Sequence, residues 1–325
     1  MHDNTPGIAI IGAGLAGLSA ASALSEAGLQ VSLFERLQTT GGRLGNAEHT
    51  DMGAQYFTTR HPAFRHISRE WQSKGWVAEW SPRLYHHDSE QGLRPSPDNI
   101  QRLVGLPSMA ALARRLQEGL QLHHVEINHL QQTANDHWLL RAADGTQHGP
   151  FSAVVIATTA EIASALLAVA PQLQQDTARM QMLPCWSVEL QFDQPLPTLV
   201  DACFVSDGPL DWLARNSSKP QRQSNESWLL QSTPDWAKQH EHCTADLVIT
   251  ELRHAMGEVM GLELPTPSNS RAYYWPNARP AEQVKWGALA ATRLNLYVCG
   301  DWCLGGRIEN AWLSGQQAAK ALLYK

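Results

Sequence analysis

Ile8-Ala9-Ile10-Ile11-Gly12-Ala13-Gly14-Leu15-Ala16-Gly17, with Glu35 at the close of the next apolar run, is the stretch from which the fold follows. Four apolar residues bounded by glycine suit a strand buried on both faces. The spacing from Leu15 to Ala27 is helical and stops at Gly28, a residue that ends helices well. Val31-Ser32-Leu33-Phe34 returns as a second strand. Between strand and helix, Gly12 permits a tight turn, Gly14 lets backbone approach a pyrophosphate, and Gly17 allows close packing of helix on sheet. The helix N-terminus adds free N–H groups and partial positive charge for phosphates. Glu35 is placed to accept hydrogen bonds from ribose hydroxyls and to repel a 2′-phosphate. The unit therefore predicts a dinucleotide site touched by Gly12, Ala13, Gly14, Leu15, Ala16, Gly17, Glu35 and Arg36. It does not separate FAD from NAD.

Working outward, Gly41-Gly42-Arg43 reads as a loop and Asp51 to Phe57 as a strand. His61 to Lys74 reads as a helix, pinned by Trp71, Trp76 and Trp80, and 76–97 as a hairpin-rich segment closed by Pro95-Ser96-Pro97. Ser108 caps a helix through Leu120. Alternating strands follow from Val125 to Phe151 with a turn at Asp144-Gly145, then a wholly apolar strand at Val154-Val155-Ile156-Ala157. Residues 160–285 differ in texture, with strands near 185–193, 199–206 and 227–232 and a helix over 245–260. Leu296-Tyr297-Val298-Cys299 is one more buried strand, and a final helix covers 309–323. The pattern divides into residues 1–60, 98–160 and 287–325 as the cofactor domain, and 61–97 with 161–286 as the substrate domain.

The composition narrows the partners. The 325 residues carry 25 Lys and Arg against 31 Asp and Glu, and a net charge of −6 disfavours nucleic acid or an anionic membrane surface. No window is long and apolar enough to span a membrane, and the flank Met1-His2-Asp3-Asn4 lacks the basic residues of a signal peptide. The five cysteines form no CxxC pair and no disulfide ladder. A soluble, cytoplasmic protein is expected. Oligomeric state is not readable.

Tyr297-Val298-Cys299-Gly300-Asp301 distinguishes the cofactor. An acid at the end of that strand can bond a ribityl hydroxyl, which NAD lacks. The helix beginning near Ile308-Glu309-Asn310-Ala311 would aim its N-terminus at the pyrimidine edge of a flavin and stabilise negative charge there. With the Gly42-Arg43 loop, these residues predict FAD.

At this point the chain resembles the flavin-containing amine oxidase superfamily. Within it, Asp51-Met52-Gly53-Ala54-Gln55-Tyr56-Phe57, Asp211-Trp212-Leu213-Ala214-Arg215-Asn216 and Val298-Cys299-Gly300-Asp301-Trp302-Cys303 resemble the bacterial renalases, over essentially the whole length. The resemblance implies an α/β fold. It implies a Rossmann-like FAD-binding domain of the hydroxybenzoate-hydroxylase-like (GR2-type) form, interleaved with a mixed α+β substrate domain. It implies non-covalent FAD and a reaction in which 2- and 6-dihydro isomers of NAD(P)H give a hydride to the flavin, with O2 then reduced to H2O2. By position, it implies that Glu35 holds the adenosine ribose, Arg43 the phosphate or flavin region, Val125 the adenine and Asp301 the ribityl chain. Ala54, Gln55 and Tyr56 would lie near the flavin ring.

Oxidation of a dihydropyridine creates an aromatic cation, so the protein has to orient more than it has to remove protons. Flat walls and amide-recognising groups are the features to seek. Candidates are Trp275 and Trp302 as walls, Asn216 and Gln55 for a carboxamide, and Arg279 for a substrate phosphate, with Tyr56 beside them. Tyr273-Tyr274 stands where renalase-like sequences often carry a basic or His residue before the tryptophan. Two other readings compete. A conventional amine oxidase would commonly place a lysine near the flavin, for which Lys285 is the candidate, and a non-catalytic flavoprotein sensor would bind FAD without turnover. His240-Glu241-His242-Cys243 is not expected to bind a metal, and Cys299 and Cys303 are expected to be buried thiols.

Overall fold

The computed structural model describes residues 6–45, 50–222 and 226–324; the flank Met1-His2-Asp3-Asn4 lies outside them. A six-stranded sheet runs in the order Leu289–Ala291, Leu296–Val298, Ala153–Ile156, Ile8–Ile11, Val31–Glu35, Gln121–His124. All neighbours are parallel except the edge strand Leu289–Ala291. Ile8–Ile11 is buried at every position, which explains its uninterrupted apolar run. The helix Leu15–Glu26 covers one face, and a three-stranded sheet of Ile127–Gln132, Trp138–Ala142 and Gln147–Phe151 lies on the other side of the core.

Two close approaches set the geometry. Gly12 has φ +102°, and a Cβ there would stand 2.5 Å from the Ala157 carbonyl oxygen. The final helix, Ile308–Leu323, packs against Leu15–Glu26 at Gly315, where a Cβ would stand 2.2 Å from the Ala16 carbonyl oxygen. Ser19 Oγ donates to the Trp312 carbonyl at 2.8 Å across the same contact.

A seven-stranded sheet forms the second layer, in the order Asn269–Pro280, Met182–Phe192, Glu226–Ser232, Leu210–Arg215, Ala202–Val205, Leu84–Asp88, Gly92–Pro95. Alternation along its strands divides it into two faces. Trp186, Val188 and Leu190 pack with Val248, Leu252 and Met256 of the helix Ala245–Met260, whereas Cys185, Gln231 and Trp275 point the other way. The helices Ala160–Leu166, Pro171–Ala178 and Pro234–Gln239 had no clear signal in the sequence.

One expectation is corrected. Residues 51–57 form a loop, with a single bridge from Phe57 to Leu103, because side chains take the carbonyls a strand would need. Gln55 donates to the Asp51 and Gly53 carbonyls, Gln231 to that of Gly53 and Trp275 to that of Met52. Within residues 61–97, Leu84–Asp88 and Gly92–Pro95 enter the large sheet, while Phe64 and Trp71 of the helix Pro62–Ser73 pack in a cluster that holds Leu15 and Leu18 together with Trp212 and Ala214.

Candidate active site

The carboxyl ends of the parallel strands and the free face of the seven-stranded sheet enclose one long cleft of about 420 Å3. At one end lie Glu35, Arg36 and Val125; at the other Cys185, Gln231 and Trp275. Gly12, Gly14, Leu15, Ala16, Gly42, Arg43, Ala54, Gly300, Asp301 and Ala311, all expected at the cofactor, line the length between. The site thus collects the end of the first strand, the glycine turn, the loop after Glu35, the last parallel strand and the final helix. Ligands gather at this edge of open α/β sheets for the same reason that the glycine turn sits there.

The residues fit FAD on their own geometry. Ala13 and Gly17 are buried behind the turn, and Ala13 N–H donates to Glu35 Oε2 at 2.9 Å, so the carboxylate is pinned where its free lone pairs can meet a ribose. Arg43 reaches across to Asp301, with Nη2–Oδ1 at 2.5 Å and Nη1–Oδ2 at 3.2 Å, and also donates to the Ala278 carbonyl at 3.2 Å. This pair joins the two motifs that the sequence placed at opposite ends of the chain. The helix beginning at Ile308 points its N-terminus at the cleft through Ile308 and Ala311.

At the far end, register explains the wall. Cys185 pairs with Trp275 and Leu183 with Arg279 across an irregularity at Pro184. Tyr273, Trp275, Asn277 and Arg279 line the cleft, joined past the irregularity by Pro276 and Ala278. The Tyr273 and Trp275 rings lie 4.5 Å apart, and the Trp275 indole is fixed by its 3.0 Å bond to the Met52 carbonyl. Arg279 Nη1 pairs with Asp211 Oδ2 at 2.9 Å, half-exposed at the mouth. Burial pushes the Cys185 thiol up to about 11.

Five expected contacts lie elsewhere. Gln55 is buried behind the wall, its amide spent on Asp51, Gly53 and Lys219. The Tyr56 ring packs against Trp80 at 6.0 Å and Trp212 at 5.6 Å, with Arg102 over its face at 5.2 Å. Asn216 is fully buried in the turn Asn216–Ser218. Trp302 folds beneath Gly300 and donates its indole N–H to the Thr158 carbonyl at 3.0 Å, so it is core and not wall. Asn310 turns back to the Leu304 carbonyl at 2.6 Å. Lys285 is exposed and outside the cleft. His240 stacks on Trp236 at 3.9 Å.

Thr158, Thr159, Asp211, Gln231 and Arg307 line the cleft without having been singled out for it. Thr158 and Thr159 follow directly on a parallel strand, a position from which the sheet rule could have found them. Gln231 had no local signal.

Residues 10–71 match the NAD(P)-binding Rossmann-like domain, and residues 73–323 match the flavin containing amine oxidoreductase family. Among solved structures, a protein from Exiguobacterium sp. 255-15 provisionally described as a protoporphyrinogen oxidase superposes with a TM-score of 0.78 at 12% identity, over 97% of this chain and 98% of that one. Cyclohexylamine oxidase from Brevibacterium oxydans IH-35A gives 0.75 at 13% identity over 98% of each chain. Putrescine oxidase bound to putrescine gives 0.72 at 12% over 99% of each. These likenesses establish the fold. With the family match spanning most of its length, the chain belongs to the flavin containing amine oxidoreductase family, and the cofactor of its cleft is FAD.

Proposed function

We propose that this protein is a renalase-type oxidase. On this reading it holds FAD non-covalently, oxidises 2- and 6-dihydro isomers of NAD(P)H to NAD(P)+, and passes the electrons to O2 to give H2O2. Bound FAD supplies the hydride acceptor and the site of O2 reduction. The observation that carries the reading is the make-up of the cleft: among the described residues neither lysine nor histidine lines it, while an aromatic wall, an amide and an ion pair do.

Those groups suit the proposed substrate. Hydride leaves the dihydropyridine with both electrons of its C–H bond, and the product is aromatic, so no base has to take a proton from carbon. The chain's task is to hold a flat ring at near-attack distance. Trp275, immobilised through Met52, offers the flat surface. Gln231, whose Nε2 is bound to the Gly53 carbonyl at 2.9 Å, keeps its amide oxygen for a carboxamide N–H. Arg279 can exchange its half-exposed partner Asp211 for a substrate phosphate. The lysine expected of a conventional amine oxidase has no counterpart among the described lining residues.

The test is an anaerobic absorbance titration of the purified holoenzyme with 6-dihydro-NAD, ordinary NADH and a simple aryl amine in separate runs. Rapid bleaching by the isomer, with one NAD+ formed per flavin, is expected. A flavin that stays oxidised with stoichiometric isomer, or that bleaches only with the amine, overturns the proposal.

A further inference from the structure

Behind the cleft wall lies a group of charges that the proposed reaction does not use. The side chains of Asp51, Lys219 and Arg222 are completely buried. Lys219 Nζ stands 2.9 Å from Asp51 Oδ2, and Arg222 Nη2 stands 2.7 Å from the same oxygen. Lys219 also donates to Gln55 Oε1 at 3.1 Å and lies 5.3 Å from the centre of the Trp80 ring. Gln55 Nε2 in turn donates to the Gly53 carbonyl at 3.1 Å, and Gly53 and Ala54 face the cleft. The Gln55 side chain and the Gly53 backbone thus connect a buried amine to the wall of the cofactor's chamber.

Two cations share one carboxylate here, so the cluster carries a net positive charge whenever Lys219 is protonated. Unscreened charge in a dry interior is costly. A guanidinium is not deprotonated in proteins whereas an ammonium can be, so Lys219 is the member that can give way. Asp51 and Arg222 are the charged groups that act on it; Arg102, further off on the Tyr56 ring, is already paired with Asp98. Burial brings the Lys219 ammonium down to about 8, against the attraction of Asp51 and helped by the repulsion of Arg222.

We propose that Lys219 takes up a proton when two-electron reduction of FAD puts negative charge in the cleft, and that it acts as a positioning and charge-balancing residue through Gln55 and the Gly53 wall. The balance closes. The hydride delivers two electrons and one proton to the cofactor, and from about pH 8 upward, where Lys219 starts as the free amine, it takes a second proton from solvent to become an ammonium. Reduction of O2 to H2O2 consumes two electrons and two protons, which returns both cofactor and lysine to their starting states.

The inference rests on FAD occupying the cleft and not on the identity of the substrate, so it is tested with dithionite and redox dyes in place of a dihydronicotinamide. The midpoint potential of the holoenzyme is measured against pH, and the slope gives the protons taken up per two electrons. From about pH 8 upward the wild type takes up two. Lys219→Met, which leaves Asp51 and Arg222 as a balanced pair, takes up one and has a lower midpoint potential at neutral pH. Lys219→Arg, charged throughout, also takes up one but keeps the potential near that of the wild type. A merely structural lysine moves neither slope. One proton in the wild type from about pH 8, or equal slopes in all three proteins, overturns the proposal. If Lys219→Met does not fold, the wild type and Lys219→Arg decide it.

Discussion

Both oxygens of the Glu35 carboxylate are held by backbone before any ligand arrives, Oε2 by Ala13 N–H at 2.9 Å and Oε1 by Leu37 N–H at 3.0 Å. The side chain therefore ties the glycine turn to the loop after the second strand, and a ribose bound to it meets an acceptor that needs no reorganisation. Glu35→Ala deletes charge-assisted bonds of about 1.5–3 kcal/mol each. FAD affinity is expected to fall about 10- to 100-fold for each such bond the ribose would have made, read from fluorescence titration of the apoprotein. Glu35 was legible because its role is fixed by its distance along a βαβ unit. Trp302 and Gln55 were not, because period and spacing place a residue on an element without saying which way a side chain turns in a loop or a short 3-10 turn. Gln55 turns inward because Lys219 and the Asp51 and Gly53 carbonyls satisfy its buried amide with three hydrogen bonds.

At the scale of elements, the two helices that aim at the cleft are registered against each other at Gly315. Ser19 and Gln316 reinforce the contact, Gln316 Nε2 donating to the Ser19 carbonyl and hydroxyl at 3.1 Å each. Gly315→Ala puts a methyl group into backbone, so the final helix has to move away from Leu15–Glu26. Destabilisation of about 1–3 kcal/mol is expected from overpacking, with a matching drop in melting temperature and weaker FAD retention on gel filtration. Four of the five parallel strands and both of these helices could be read from the sequence, because apolar runs and helical spacing are local signals; Gln121–His124, with both ends exposed, offered no such run. The seven-stranded sheet could not be read in full. Its longest edge strand, Asn269–Pro280, alternates exposed with half-buried residues and carries two prolines, which masks the period-two pattern.

Over the whole molecule, ion pairs join segments far apart in sequence. Asp51 meets Lys219 and Arg222 with all three side chains buried, and Asp201 meets the half-exposed Arg83. Burial raises the Asp51 carboxyl, but Lys219, Arg222 and the Met109 N–H outweigh that and hold it below its ordinary value. Burial likewise raises Asp201, and Arg83 more than offsets it. A carboxylate with a lowered folded-state pKa stabilises the fold above its unfolded value and loses that contribution as pH falls through the folded value. Urea unfolding should therefore show stability that is level near neutrality and declines below the ordinary carboxylate value of 3.8. Asp51→Asn leaves two buried cations without a counter-charge and should cost about 3–5 kcal/mol at neutral pH in the same assay. No sequence pattern announced this cluster, since its members lie in loops whose meeting depends on the complete tertiary arrangement.

The thiols acquire a meaning from the proposed product. Peroxide attacks thiolate, not thiol, and then drives cysteine towards sulfenic and higher acids. Cys185 stands in the wall of the chamber where H2O2 would be released, yet burial keeps its thiol protonated with a value of about 11. Cys203 and Cys299 are pushed up to about 12 by the same cause, and burial raises Cys303 well above the ordinary range. On the proposed reaction the protein would make its own oxidant, and packing would then hold these four cysteines as thiols that the oxidant attacks slowly.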